Sequence, residues 1–412
     1  MKAGDLIRVA YVSHTGAVSG AEVMLINLVR GLDRARYEPI AFCPAEGDLR
    51  KMFETEGIPC KDLPEVRARF TCRPDRLWKA AVSFTRATLA LRRAFADDEP
   101  DIVHANSVRA GIVASLASVA SGRKIVWHLH DDLPRHFLSL FIRIAALLLR
   151  PARVVAVSHA TARTFRGPFV FKGTLHIIHN GVDLHRFPLK NADRPRMREV
   201  LGYYPGSFLI CAVGQICARK GLLELIRAFE MARARAPYMH LVIAGCVVFE
   251  HEKEYLDRLH QAARAPMVAG SVHFAGQLKN VSELLHAADL LVLNSLEEPF
   301  GLVLVEAMSS GTPVLATRVG GIPEIVHDRE NGWLIEKADT AGLAKKLLEL
   351  ARDRELLERV ARRAHDATCP QFSLERFQAR WQDCYAELVS ARERAVSPAM
   401  GDPVPMNVNE WR

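Results

Sequence analysis

Short apolar segments alternate with helix-forming segments along almost the whole chain, and this alternation constrains the fold more than any other feature. The apolar segments include 7–12, 102–104 and 124–129 in the first half, and a second series begins with 208–214. Such alternation is typical of βαβ units, whose strands form a parallel sheet. We therefore predict an α/β protein in which ligands bind at the carboxyl ends of the strands.

The chain is long enough for two such domains, because its 412 residues exceed the size of one ordinary α/β unit. Between 189 and 206 the composition shifts to Lys, Arg, Asp, Pro and Gly, which predicts a linker. We predict a first domain over 1–188 and a second over 207–370. A C-terminal helix over 371–390 and a disordered tail over 391–412 would follow.

Composition narrows the class of protein. Hydrophobic residues make up 49% of the chain and charged residues 25%, as in a globular protein with packed cores. The eight cysteines form no CxxC pair, so we expect reduced thiols in a cytoplasm rather than a disulfide framework or a zinc site. No run of about 18 apolar residues occurs, and Asp5 and Arg8 interrupt any signal-peptide core.

The net charge of +8 favours anionic partners, which include lipid headgroups and phosphates as well as nucleic acid. Much of this charge lies between 67 and 93, where apolar side chains are interleaved with the basic residues Arg67, Arg69, Arg73, Arg76, Lys79, Arg86, Arg92 and Arg93. This pattern has two interpretations, an amphipathic surface that docks on anionic lipid and a solvated helix face.

The segment 294–324, NSLEEPFGLVLVEAMSSGTPVLATRVGGIPE, is the most informative for function. Its predicted helix is apolar except for Glu306, and a buried carboxylate is costly unless a polar group meets it. Gly301 precedes the helix, where unpaired N–H groups and the positive end of the helix dipole attract anions. A ligand with both hydroxyl groups and phosphates would satisfy this arrangement.

The motif EPFGLVLVE, from Glu298 to Glu306, together with GGIPE closely resembles the E-x7-E region of the GT4 glycosyltransferases. This resemblance implies a GT-B fold, in which two Rossmann-like doubly wound domains face a cleft and the C-terminal helix crosses back to the first domain. It also implies transfer of a sugar with retention of anomeric configuration. It implies donor-binding roles for Gly20, Arg219, Lys220, Glu298, Phe300, Gly301, Leu302 and Glu306. Ribose hydroxyls would bind Glu306, and sugar hydroxyls would bind Glu298.

Two loops extend the resemblance. SGAE, which contains Gly20, is similar to the G-G-A-E segment of the family, with an ordinary βα turn as the alternative. No GxGxxG dinucleotide motif is present. GQICARKG is similar to the diphosphate-binding turn, with Lys220 at the position that binds the donor. The chain departs from the family at Gln215, where an arginine is usual. Arg219, beside Lys220, is a candidate to supply the missing charge, and reduced activity or an altered donor is the alternative.

Histidines follow two predicted strands of the first domain. PDIVHANS brings His104 and Asn106 to the end of one strand, and IVWHLHDD brings His128 and His130 to the end of the next. Similar retaining transferases carry a histidine here that contacts the donor sugar. The His-Asp pair identifies His130 with Asp131 as our first choice and His128 as the second. The candidates for sugar or acceptor contacts are His128, Asp131, His104 and Asn106, and a purely structural histidine is the alternative.

These patterns predict a retaining glycosyltransferase in which His130, Lys220 and Glu298 are catalytic. The co-substrate would be a nucleotide diphosphate sugar, with no further cofactor. No metal is expected, because Lys220 with Arg219 would neutralise the diphosphate, and the absence of an Asp-x-Asp pair near a strand end fits this expectation. The expected acceptor is a lipid-linked or cell-envelope glycan, on the inner face of a membrane. A non-catalytic nucleotide-sugar-binding relative or scaffold is the alternative, whereas nucleic acid is disfavoured because the best-matched residues are carboxylates.

Overall fold

The computed structural model describes residues 6–68, 70–171, 173–189, 198–199, 202–204 and 206–396. Two sheets organise this part of the chain, one of seven strands in the order β3-β2-β1-β4-β5-β6-β7 and one of six in the order β10-β9-β8-β11-β12-β13. Every strand pairing within them is parallel. The predicted α/β architecture of two doubly wound domains is therefore confirmed.

The strands are short and mostly buried on both faces, which explains their continuous apolar sequences. In the first sheet they are β1 Ile7–Val12, β2 Tyr37–Cys43, β3 Cys60–Asp62, β4 Ile102–Ala105, β5 Lys124–Leu129, β6 Arg153–Ala156 and β7 Leu175–Ile177. In the second sheet they are β8 Phe208–Val213, β9 Met239–Ala244, β10 Val272–Gly276, β11 Leu290–Leu293, β12 Val314–Thr317 and β13 Trp333–Ile335.

Helices cover both faces of each sheet. The described helices around the first sheet are α1 Gly20–Arg30, α2 Asp48–Thr55, α3 Pro74–Asp98, α4 Val108–Ala117, α5 Phe137–Leu149 and α6 His159–Arg166. Those around the second are α7 Leu222–Arg233, α8 Lys253–Ala262, α9 Val281–Ala287, α10 Leu302–Ser309, α11 Thr340–Arg352 and α12 Arg354–Thr368. The last helix of the described chain is α13 Leu374–Val396.

Helix α13 leaves the second domain and packs against the first. Its buried side chains Phe377, Trp381 and Tyr385 join the core cluster that contains Val9 and Tyr11 of β1. The helix also continues to Val396, beyond the predicted end at 390. The sequence there, ARERAV, consists mainly of good helix formers, which explains the extension.

Some predictions fall outside the described residues. These are most of the linker over 189–206, the remainder of the tail over 397–412, and Arg69 of the basic segment. Within the described chain, no helix combines the length and apolar character that crossing a bilayer requires.

In each sheet the strand order reverses beside the first strand, between β1 and β4 and between β8 and β11. Ligands of doubly wound folds bind outside such a switch point, because the connecting helices diverge there and leave a crevice. The loops after β1, β4, β5, β8 and β11 contain the predicted site residues, so the topology brings these distant segments to one region.

Candidate active site

A cleft of about 1980 Å³ lies between the two domains. The first domain lines it with His130, Asp131 and Asn106, and the second domain with Gln215 and Arg219. The Arg219 guanidinium faces the Asp131 carboxylate across it, with 3.7 Å between Nη1 and Oδ1. The predicted cleft between facing domains is therefore present, and Arg219 and Asp131 approach each other from opposite walls.

Lys220 and Glu298 form an ion pair on the second domain, with 2.6 Å between Nζ and Oε2. The Ser295 hydroxyl donates to the same carboxylate oxygen at 2.9 Å. Lys220 closes the turn after β8 and borders a crevice with Gly214 and Gln215, the latter also lining the large cleft. Lys220, which was predicted to bind phosphate, and Glu298, which was predicted to bind sugar, are thus in direct contact.

Helix α10 presents an open N-terminus. Gly301 precedes it with a φ of +102°, a left-handed conformation that strains other residues. In the described chain, the amides of Phe300 and Gly301 donate no hydrogen bond to another backbone group or side chain, so they are available to a ligand. The Phe300 side chain is buried against His179 and Phe372, which leaves its backbone as the part that can contact a donor.

Glu306 lies on α10 and is partly buried. Its carboxylate makes no hydrogen bond to any of the described residues, and burial raises its pKa to about 7, although the nearby Arg186 opposes this. A partly buried acceptor without a donor matches the expectation that this carboxylate receives hydroxyl groups from a ligand.

Gly20 and Leu302 lie close together on opposite domains. Gly20 is the first residue of α1, and a Cβ added to it would be 4.0 Å from Leu302 Cδ1. The first loop of the first domain therefore reaches the start of α10, as the resemblance of SGAE implied.

His130 follows β5 and is held by Asn106, whose Oδ1 is 2.9 Å from His130 Nε2. Asn106 in turn donates from Nδ2 to the carbonyl oxygen of Ala21 at 3.2 Å. Burial lowers the pKa of His130 to about 3, so the imidazole is neutral at ordinary pH. With Nε2–H donating to Asn106, Nδ1 remains as an acceptor for a hydroxyl group.

His104 and His128 do not reach the cleft, and their prediction as sugar or acceptor contacts is wrong. Both are fully buried, with 3.2 Å between His104 Nε2 and His128 Nδ1, and His104 Nδ1 lies 2.7 Å from the Tyr385 hydroxyl. The ring of Trp381 packs on both. Alternation along each strand turns these side chains towards α13, a packing partner that the sequence pattern did not identify.

Sequence reasoning missed a polar cluster on the first-domain wall. His14 Nδ1 lies 3.0 Å from the Ser107 hydroxyl, and Arg109 Nη1 lies 2.8 Å from His14 Nε2. Burial, with a smaller effect from Arg109, lowers the pKa of His14 to about 3. Ser107 was visible as a strand-end residue, but nothing in the sequence linked it to His14.

Glu22 is also buried at this wall. Its Oε2 accepts hydrogen bonds from the Ser19 amide at 3.0 Å and from the Ser19 hydroxyl at 2.6 Å. The S-x-x-E spacing of SGAE is a capping signal that could have identified this pair.

One group in the described chain has three metal-ligand atoms within 4.8 Å of one another, His159, His179 and Glu324. The Glu324 carboxylate already accepts from the amides of His159 and Ala160, at 2.9 Å each, and lies 3.0 Å from His179 Nε2. These contacts satisfy the carboxylate, so we assign the group a structural role.

Two family models match the chain, Glycosyltransferase Family 4 over residues 18–186 and Glycosyl transferases group 1 over residues 193–367. The D-inositol 3-phosphate glycosyltransferase of Salinispora arenicola is 33% identical over 92% of this chain and 89% of that protein. The lipopolysaccharide core biosynthesis glycosyltransferase LpsE of Rhizobium meliloti is 33% identical over 45% of this chain, which spans half of LpsE.

The crystal structure of Anabaena Alr3699/HepE in complex with UDP and glucose has the same fold. It superposes with a TM-score of 0.78 and 24% identity over 92% of this chain and 99% of that chain. The family resemblance of the EPFGLVLVE and GGIPE motifs is thereby confirmed. The chain belongs to the GT4 family of glycosyltransferases, and its two facing parallel-sheet domains form the GT-B fold.

Proposed function

We propose that this protein transfers a sugar from a nucleotide diphosphate sugar to an acceptor, with retention of anomeric configuration. The observation that carries the proposal is the pair of carboxylates that flank the open N-terminus of α10. Glu298 is held by Lys220 and Ser295, whereas Glu306 has no hydrogen-bond donor among the described residues. Ribose hydroxyls supply the donors that Glu306 lacks.

The donor diphosphate binds at the turn after β8. Lys220 exchanges part of its contact with Glu298 for the phosphate oxygens, and Arg219, which is partly exposed on the cleft wall, adds a second charge. Negative charge develops on the leaving diphosphate during transfer, so fixed cations lower the barrier. The free amides of Phe300 and Gly301 contribute donors at the helix N-terminus.

The proposed sugar transfer requires no nucleophile from the protein. The bond from the anomeric carbon to the diphosphate oxygen breaks as the acceptor hydroxyl attacks from the same face, and the departing phosphate oxygen takes the acceptor proton. Neutral His130 accepts a hydrogen bond from a sugar hydroxyl through Nδ1 and fixes the orientation of the ring. Closure of the two domains excludes water, which would otherwise hydrolyse the donor.

We infer an acceptor that carries both a lipid and an anionic group. The cleft extends from His130 along the N-terminal half of α3, where Trp78 and Val82 alternate with Lys79 and Arg86. Trp78 is 72% exposed, which is unusual for so large an apolar side chain. LpsE acts in lipopolysaccharide core biosynthesis, which supports an envelope glycan as acceptor.

We further infer that the protein works in the cytoplasm, on the inner face of a membrane. Helix α5 exposes a second set of apolar side chains close to basic residues. The exposed apolar residues are Phe137, Leu140, Phe141 and Leu148. An amphipathic surface of this kind binds anionic lipid through apolar burial and charge together.

A non-catalytic nucleotide-sugar-binding protein or scaffold is the second candidate, and Gln215 is the residue that favours it. Gln215 lies on the cleft where the family usually has an arginine, so the site has one cation fewer for the leaving group. Binding of donor without turnover would support this candidate.

The deciding experiment measures binding and hydrolysis of UDP-, GDP- and ADP-sugars by the full chain. We expect one nucleotide class to bind and to be hydrolysed slowly without acceptor, with the rate rising when glycolipid extracts are added. UDP-glucose is the first donor to test, since HepE has been crystallised in complex with UDP and glucose. Binding without turnover under all conditions would favour the scaffold, and absence of binding would refute both.

A further inference from the structure

Glu324, the last residue of GGIPE, joins the two domains directly. It belongs to the second domain, yet its carboxylate accepts hydrogen bonds from the amides of His159 and Ala160 at the start of α6 in the first domain. The third contact is with His179, which follows β7. The side chain is only 16% exposed, so water competes weakly for these bonds.

Helix α6 does not need Glu324 in order to form. Its own N-cap residue, Ser158, accepts a hydrogen bond from the Thr161 amide at 3.0 Å. Glu324 instead uses the first two N–H groups, which point along the helix axis towards the second domain. The contact therefore serves the junction between domains.

The other end of the same short segment is fixed against the donor loop. The Gly321 amide donates to the Glu298 carbonyl oxygen at 2.9 Å. Gly320 has a φ of +53°, and a Cβ added to it would lie 1.9 Å from that oxygen, so no side chain fits between the two loops. A shift of Glu324 relative to the second sheet would thus be transmitted to the backbone of Glu298.

His179 provides a second connection. Its ring stacks on Phe300, with 5.8 Å between centroids, while its Nε2 contacts Glu324. The backbone amides of Phe300 and of the next residue, Gly301, are the ones that we assign to donor binding. One first-domain histidine therefore touches both the bridging carboxylate and the donor loop.

We propose that Glu324 is a positioning residue for sugar transfer. Its contact with α6 fixes the first domain in position relative to the Glu298 loop of the second domain. The inference rests on the proposed function, because Glu298 is taken as the sugar-binding carboxylate. Productive transfer requires the sugar on the second domain to meet His130 on the first. A small misplacement at the junction would separate them and lower the rate sharply.

Glu324→Gln is the direct test, because the amide keeps the shape but can no longer accept from both N–H groups. We expect the radius of gyration of the unliganded variant, from small-angle X-ray scattering, to increase. The dissociation constants for UDP, GDP and ADP, each titrated separately, should match the wild type, whereas kcat for donor hydrolysis should fall about tenfold or more.

Glu336→Gln is the matched control, since Glu336 pairs with Arg318 within the second domain and contacts none of the described residues of the first. Glu324→Asp keeps the charge, so its kcat should lie between those of Glu324→Gln and the wild type. It also provides a second variant if Glu324→Gln does not fold. Unchanged scattering and kcat in Glu324→Gln would overturn the proposal, as would an altered nucleotide affinity, which would indicate a local effect. The scattering result is independent of turnover, so it separates failure of this inference from failure of the proposed function.

Discussion

Lys220 and Glu298 are 78 residues apart in the chain, and their side chains form an ion pair of 2.6 Å at the edge of the interdomain cleft. The lysine ends the turn after β8, and the carboxylate lies in the loop after β11, the strand adjacent to β8. Parallel pairing of these strands brings both loops to one edge of the sheet. In the proposed reaction, the pair holds the lysine ready for the donor diphosphate.

Lys220→Ala should lower kcat by about a hundredfold or more, because a fixed cation is lost where charge develops on the leaving group. Steady-state rates of donor hydrolysis and transfer would measure this. Lys346→Ala is the control, since Lys346 pairs with Glu349 on α11, away from the cleft. A wild-type rate in Lys220→Ala would show that the charge comes from another residue, with Arg219 the first to examine.

Glu306→Gln should weaken donor binding by about tenfold, as an amide accepts hydrogen bonds from ribose hydroxyls less strongly than a carboxylate. Isothermal titration with the nucleoside diphosphate measures the change. Glu358→Gln, on the exposed face of α12, serves as the control. Equal affinities for wild type and Glu306→Gln would remove this residue from the donor site.

Stability of the unliganded protein should depend on Glu306 between about pH 4.5 and 7. Burial raises the folded-state pKa to about 7 from 4.5, so in this window the folded protein keeps a proton that the unfolded chain has released. Stability therefore falls as pH rises through the window and stays at the lower level above it. Thermal unfolding midpoints measured across this range should fall less in Glu306→Gln, and identical pH profiles would contradict the assignment.

Trp78→Ala should reduce binding to vesicles that contain anionic phosphatidylglycerol, because the exposed indole on α3 loses its place at the lipid interface. Wild-type binding should also weaken with added salt, since the charged residues of α3 between 76 and 93 are all basic. Vesicle co-sedimentation measures both effects. Tyr204→Ala is the control, an 80% exposed aromatic residue outside this surface, and equal binding by wild type and Trp78→Ala would exclude the surface.

Tyr385→Phe should destabilise the protein by about 1–3 kcal/mol, because it leaves a buried nitrogen of His104 without its partner. A lower thermal midpoint with little change in donor affinity is expected. Tyr204→Phe tests the same chemical change at an exposed position. Loss of donor binding in Tyr385→Phe would instead return the buried histidines to the active site.

Particular strands, helices and residues show how much of the structure local sequence patterns predict. The strands 7–12 and 124–129 occur with the predicted bounds, since burial on both faces favours apolar side chains at most positions. The helix around the basic segment covers Pro74–Asp98. Pro74 is a favourable first residue for a helix, but the pattern of apolar residues does not mark where this helix ends. The site motif gave Lys220, Glu298 and Glu306 from local chemistry and family spacing.

The sequence by itself determined the parallel α/β architecture, the glycine turn at Gly301 and the isolated carboxylate of Glu306, because strand burial, glycine conformation and the cost of a buried charge are local properties. Only the tertiary structure decided that His104 and His128 face α13, that His14 joins Ser107 and Arg109, and that Glu324 bridges to α6. Those contacts join residues from 93 to 281 positions apart, where the exact direction of each side chain depends on packing across elements. Periodicity along one segment carries no information about which distant element will cover it.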